Sequence, residues 1–251
     1  MSLKIFRIAS AIVLACLALS STAWAACSNE SLSGAYGFLH NSTSSDGAPA
    51  TAVSQLTFDP TTATFTIETT ASHDGVVATE STTGTYAIDS NCTGTGAPAG
   101  AAPFALVVTS TGFLAAHLLA EGFAVKQGSA TCTNAGVEGT FGFETTGVIV
   151  AGAPGTRPVA FIGELELSVN TSGEGVISGN VASSEDGTFL TFADEPVTGS
   201  YSIDSNCRGT ATIVAKERSV MHFRLVVVDG GKEMLVVQTD GGTVVSGALQ
   251  R

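Results

Sequence analysis

The chain has 251 residues, 44% of them hydrophobic and 13% charged, and a formal charge of −12 at pH 7. Ten basic residues against 22 acidic ones exclude strong nucleic-acid binding, which needs Lys and Arg to neutralise phosphates, and disfavour attachment to an anionic membrane. Such an imbalance favours solubility outside the cell.

Residues 1–25 read as a secretory signal. Lys4 and Arg7 give a positive start, Ile8 to Leu19 an apolar run, and Ala23-Trp24-Ala25 an A-x-A cleavage site. The apolar run is shorter than the roughly 20 residues that span a bilayer, so no transmembrane segment is expected. A lipoprotein signal is the alternative. However, the apolar run continues past Val13-Leu14-Ala15-Cys16, and Trp24 stands where a lipobox before Cys27 prefers an aliphatic residue. The reading places the protein outside the cytoplasm, secreted or periplasmic, after cleavage near Ala25. The remaining chain holds 8 basic and 22 acidic residues, a balance of −14.

After the signal one pattern occurs twice. Cys27-Ser-Asn-Glu-Ser-Leu-Ser-Gly34-Ala-Tyr36-Gly37-Phe38 returns as Cys132-Thr-Asn-Ala-Gly-Val-Glu-Gly139-Thr-Phe141-Gly142-Phe143. Gly84-Thr-Tyr86-Ala-Ile88-Asp89-Ser90-Asn91-Cys92 returns as Gly199-Ser-Tyr201-Ser-Ile203-Asp204-Ser205-Asn206-Cys207. The chain is a tandem duplication, with units at 26–131 and 132–251. A unit that folds alone should carry its own bridge. That selects Cys27–Cys92 and Cys132–Cys207 from the three pairings four cysteines allow, in a compartment where disulfides persist. Each bridge closes a long loop, for which the chain-entropy picture gives about 4 kcal/mol.

The first unit reads as about eight strands, near 33–44, 49–59, 63–72, 76–89, 92–97, 103–110, 113–121 and 123–130. Ala52, Ser54, Leu56 and Phe58 share one face of the second strand, and Phe65 and Ile67 follow after Asp59-Pro60. Turn chemistry recurs at Asp46-Gly47, Asp74-Gly75, Thr111-Gly112 and Glu121-Gly122. In the second unit Val159, Phe161, Gly163, Leu165, Leu167 and Val169 face one way, while Ala160, Ile162, Glu164, Glu166 and Ser168 face the other. Turns fall at Ser172-Gly173, Asp186-Gly187, Asp229-Gly230-Gly231 and Asp240-Gly241-Gly242. Beyond the second cysteines the repeats align Phe104 with Phe223, Leu106 with Leu225, Gly112 with Gly231, Gly122 with Gly241 and His117 with Val236.

Short turns without a long crossover predict an all-β protein of two tandem eight-stranded antiparallel up-and-down barrels, with two β-sandwiches as the alternative. Residues 27–33 and 132–138 should each cross one barrel mouth, with Leu32 and Val137 against the floor. Leu114, Ala116, Leu118 and Ala120 lie on a strand apolar on both faces, so this strand, with His117, should meet the second unit or a partner.

The units resemble eight-stranded barrels of the calycin and allene-oxide-cyclase-like type, in particular secreted bacterial proteins with a C-x₆-G-x-[YF]-G-[FY] opening. Gly34-Ala-Tyr36 and Gly139-Thr-Phe141 stand where lipocalins carry G-x-W, with the tryptophan replaced. The resemblance spans 27–251 and implies the fold; no catalytic residue is carried over from it.

The sequence holds no G-x-S-x-G elbow, histidine ligand spacing or calcium loop, so no enzyme activity, cofactor or metal is expected. Asp89 and Asp204 read as Asx-turn residues. The recurrent aromatics Tyr36, Phe38, Tyr86, Phe104, Phe141, Phe143, Tyr201 and Phe223 are expected as core residues, some of them lining a barrel cavity. The functional expectation is a secreted, non-enzymatic envelope or extracellular structural or surface-interaction module, its partner left open between an envelope component and a small apolar ligand. Holding a small apolar ligand is the alternative, and an allene-oxide-cyclase-like isomerase is the remote one.

Overall fold

The computed structural model describes residues 26–43, 47–117, 120–129, 132–150, 155–190, 196–215 and 220–251. The signal segment, Asp46 and Leu118 lie outside the described residues, as do the side chains of His117 and Ala120. The protein is all-β, with two closed eight-stranded antiparallel barrels.

The first barrel runs β1 (Gly34–Thr43), β2 (Pro49–Asp59), β3 (Thr64–His73), β4 (Val76–Ile88), β5 (Thr93–Pro98), β6 (Phe104–Val108), β7 (Gly112–His117) and β8 (Ala120–Lys126). It is a plain meander closed by pairing of β8 with β1. The second runs β9 (Gly139–Ile149), β10 (Arg157–Val169), β11 (Gly175–Glu185), β12 (Thr188–Leu190), β13 (Pro196–Ile203), β14 (Arg208–Ala215), β15 (Val220–Val228), β16 (Glu233–Gln238) and β17 (Thr243–Gln250). It closes by pairing of β17 with β9, and the short β12 lies beside the end of β11. Among the described residues, closure leaves neither barrel with a free edge, apart from the outer side of the short β12.

Two hairpin turns follow the Asp-Gly expectation. Asp74 and Gly75 have φ of 49° and 73°, and Asp186 and Gly187 have 50° and 73°, the paired positive values of the turn whose twist matches its strands. Glu121-Gly122 is a correction. It is no turn but part of β8, where Gly122 pairs with Ala115 and with His40. A Cβ there would lie 2.7 Å from the Phe38 ring, so this glycine makes room for an aromatic. The repeat register changes accordingly. Ala115 pairs with Gly122 as Val236 pairs with Gly247, so Gly122 matches Gly247, Ala115 matches Val236, and Phe113 stands where the second barrel has Met234.

Each barrel is sealed at one end by the segment before its first strand. In the first, Asn29–Ser31 forms a single 3₁₀ turn capped by Ser28, and Cys27 is bonded to Cys92 with Cα atoms 4.9 Å apart. In the second, Asn134–Val137 forms the matching turn, and Cys132 is bonded to Cys207 with Cα atoms 4.7 Å apart. Leu32 and Val137 are fully buried in their barrel floors, where they contribute to the two cores.

A third apolar cluster joins the barrels. Leu39 and Val53 of the first pack with Val226, Val228, Leu235 and Val237 of the second. The contact sets the outer face of β1–β3 against that of β15–β17. This explains why β2 is buried on both faces. At Gly37 a Cβ would come within 2.5 Å of Val228 Cγ1 and 3.0 Å of Val226 Cγ1, so the absence of a side chain allows the approach. Most polar groups inside the contact are paired, although Gln127 Nε2 is buried without a partner. Asn41 Oδ1 accepts from Thr51 Oγ1 at 2.6 Å and from Ser246 Oγ at 3.0 Å. Gln55 Nε2 donates to Gln127 Oε1 at 3.1 Å and to the Asn206 carbonyl. Ser72 donates to the Thr243 carbonyl, and Arg208 forms an ion pair with Glu68. The units therefore pack tightly, but not through the strand that carries Leu114. That residue faces solvent, because β7 lies on a different part of the wall from β1–β3.

Candidate functional site

The recurrent tyrosines and asparagines build the sealed ends. Tyr86 Oη donates toward the carbonyls of Asn29 and Leu32, both at 3.0 Å, and Asn29 Oδ1 accepts the Ile88 amide at 2.8 Å. Tyr201 Oη donates to the Asn134 carbonyl at 2.9 Å, and Asn134 Oδ1 accepts the Ile203 amide at 2.8 Å. Burial, and then the nearby charge of Asp59, pushes the Tyr86 hydroxyl up to about 12. Burial followed by Glu138 does the same for Tyr201, also to about 12. The asparagine clamp was not singled out from the sequence, although Cys-x-Asn opens both units. Cys92 and Cys207 sit at φ of 67° and 62° in the turns that return the chain. Asp204 Oδ1 accepts the amides of Asn206 and Arg208, as an Asx turn should, whereas in the first unit Asn91 Oδ1 accepts the Thr93 amide.

Away from the seal each barrel keeps a cavity in its other half. The first holds about 240 Å³, lined by Phe38, Leu56, Ile67, Phe104, Phe113 and Ala115 with His40, Ser54 and Thr69. The second holds about 180 Å³, lined chiefly by Val159, Phe161, Val181, Val197 and Met221, with Ser183, Glu185 and Gln238 at its polar side. Both lie below the ~300 Å³ at which drug-sized ligand sites begin. Of the eight recurrent aromatics, Phe38 and Phe104 line the first cavity. Tyr36 and Tyr86 belong to the closed half of that barrel, where Phe58 meets both rings edge-on at 5.6 and 4.9 Å. Phe141, Phe143, Tyr201 and Phe223 fill the core of the second barrel. The residual space beside Phe143, Tyr201 and Phe223 is about 20 Å³, too little for a ligand.

His40 is the polar feature of the first cavity. Its ring lies 5.4 Å from that of Phe38, its buried Nδ1 has no hydrogen-bond partner, and burial pulls its pKa below the ordinary histidine value. The matching position in the second barrel is Thr145, whose buried Oγ1 also has no partner. At the open end of the second barrel His222 Nδ1 and Asp240 Oδ1 are 2.7 Å apart. Burial opposes ionisation of Asp240, but hydrogen bonds from His222 and Gln238 outweigh it and hold the carboxyl below its usual range.

The outer surface carries a second feature. Val107, Leu114 and Phe123 are cross-strand neighbours on β6, β7 and β8, exposed by 45%, 53% and 39%. Phe123 also borders a groove of about 640 Å³ between the barrels, whose far wall carries Ile162, 58% exposed. Among the described residues, no three His, Cys, Asp or Glu side chains converge as a metal site would require, and no helix is long and apolar enough to cross a membrane. No protein-family model matches the sequence, and a search of curated proteins finds no match.

Proposed function

We propose that the protein is an exported, non-enzymatic interaction module of the cell envelope or its surroundings, working through its outside. The observation that carries this reading is the apolar strip of Val107, Leu114 and Phe123, continued across the groove by Ile162. Large apolar side chains clustered on a wall otherwise rich in Thr, Ser and Glu mark a contact surface. Export is supported by the signal-like N-terminus and by one disulfide in each barrel. The absence of catalysis is supported by cavity linings that are mostly apolar, with His40 lacking a partner that would orient it as a base. The test compares wild type with Leu114→Asp and Ile162→Asp after export in the native host. Melting temperatures should stay unchanged while the fraction recovered with the envelope or matrix falls. An unchanged distribution would overturn the reading.

His40 favours a second reading, in which the first cavity takes a small planar apolar molecule with one hydrogen-bond donor. Its volume of about 240 Å³ exceeds the ~150 Å³ engineered cavity that admits benzene. Indole is a suitable probe. It should perturb the amide resonances of Phe38, Ile67 and Phe104, and Ala115→Phe should remove the effect. If indole leaves those resonances in place at saturating concentration, this second reading fails.

A further inference from the structure

The duplication makes it possible to ask what the barrel–barrel contact looks like when transposed onto the other unit. On β15, β16 and β17 the second barrel presents Val226, Leu235 and Ala248 as cross-strand neighbours, and this row is turned toward the first barrel. The first barrel has the same row on β6, β7 and β8 as Val107, Leu114 and Phe123, and there it is bare. The receiving face shows the converse. On the first barrel Leu39 pairs with Val53, beside Gly37, and all three lie under the second barrel. On the second barrel the matching residues are Glu144, Ile162 and Gly142. The nearest atom to a Cβ at Gly142 would be the Gln250 carbonyl at 3.6 Å, so the hollow that Val226 and Val228 fill above Gly37 stands open above Gly142.

The molecule thus uses one donor face and one receiving face internally and leaves one of each free. A contact between unlike faces is heterologous, and such contacts repeat until a ring closes or a filament grows. We infer that the free faces fit each other between copies, so that the β6–β8 face of one molecule docks on the β9–β11 face of the next, head to tail, in the manner of the internal contact. This rests on the surface-interaction reading and names its partner as a second copy of this chain. The free pair differs from the internal pair at several positions, among them Glu164 for Gln55, Thr109 for Val228 and Phe123 for Ala248, and most centrally at Glu144. Glu144 replaces Leu39, and Ala105 stands where the second barrel carries Arg224, so the incoming face brings no cation to meet the carboxylate. Burying an unpaired carboxylate is costly, which makes the association weak and concentration-dependent. Glu144, with Glu164 beside it on the same face, acts as a brake on this association.

Sedimentation velocity of the purified, disulfide-bonded protein over a concentration series up to about 1 mM tests the inference. Wild type should shift to larger species as concentration rises. Glu144→Leu should lower the midpoint concentration by about tenfold or more. Leu114→Asp and Ile162→Asp should each abolish the shift. An equimolar mixture of those two variants should form dimers and nothing larger, because each supplies the face the other lacks. Wild type and Glu144→Leu both remaining monomeric would overturn it. So would an association that Leu114→Asp removes and Ile162→Asp leaves intact, since that would mean the β6–β8 faces pair with each other. If the purified protein stays monomeric while its recovery with the envelope still depends on Leu114, the second-copy inference fails and the broader reading stands.

Discussion

The two barrels agree at their sealed ends and part company elsewhere. Disulfide, asparagine clamp, tyrosine and buried aliphatic residue correspond one for one between Cys27–Leu32 and Cys132–Val137. The open halves differ. The first cavity is ringed by phenylalanines around His40, and the second is mostly aliphatic with Glu185 and Gln238 at its margin. The outer walls differ most, since the same three-strand row is buried in one barrel and exposed in the other. A duplicated fold needs its closure in both copies, whereas mouths and walls are free to diverge, so divergence points to where function acts.

The strongest test of the shared seal is to cut it on each side in turn. Cys92→Ala and Cys207→Ala should each cost about 2–5 kcal/mol in urea unfolding, with amide exchange rising in the barrel that lost its bridge. Unequal losses, or exchange rising in both barrels, would show that one seal supports the whole molecule.

High pH probes the same seal. Below about pH 10 both buried tyrosines keep their protons whether folded or not. Between about 10 and 12 the unfolded chain releases a proton that the fold retains, so stability falls with rising pH, by about 2–3 kcal/mol per tyrosine by pH 12. Tyr86→Phe and Tyr201→Phe should each remove part of that slope, and an unaltered slope in both would refute the assignment.

The walls can be compared through two matched glycines. Gly37→Val overfills the barrel contact and should cost about 1–3 kcal/mol, whereas Gly142→Val, at the open position, should change stability by less than about 0.5 kcal/mol. Thermal melts decide, and equal effects would mean that the contact is not close-packed in solution. A small effect of opposite sign is expected in the first cavity. His40→Leu removes a buried nitrogen without a partner and should stabilise the first barrel by about 1 kcal/mol. A loss of stability would show that His40 has a partner in solution.

Much of this fold could be read from residues. Period-two alternation, the Asp-Gly turns and the doubled cysteine motif point to eight-stranded units and their bridges, and Leu32 and Val137 lie in the floors as the short arm requires. The inter-barrel contact was harder to read. Leu114 and Ala116 lie on a strand apolar on both faces, but so do Leu225-Val226-Val227-Val228 and Met234-Leu235-Val236-Val237, and these more strongly. Nothing in one strand's pattern says which of two similar outer faces finds a cover. The cavity linings escaped for another reason. Alternation tells which face of a strand a residue occupies but not its height along the barrel, so Tyr36 in the packed half and Phe38 at the cavity look alike in sequence. Gly122 was misread because a glycine that clears space for Phe38 is indistinguishable by composition from one that makes a turn.

The barrel contact also has a consequence in time. It joins β1–β3 to β15–β17, which leave the ribosome later. Until β15–β17 have been delivered, Leu39 and Val53 have no cover, and a completed first barrel shows solvent two greasy walls instead of one. A nascent or truncated chain ending after β8 is therefore expected to be far stickier than the finished molecule, and delivery of the second barrel is what protects the first.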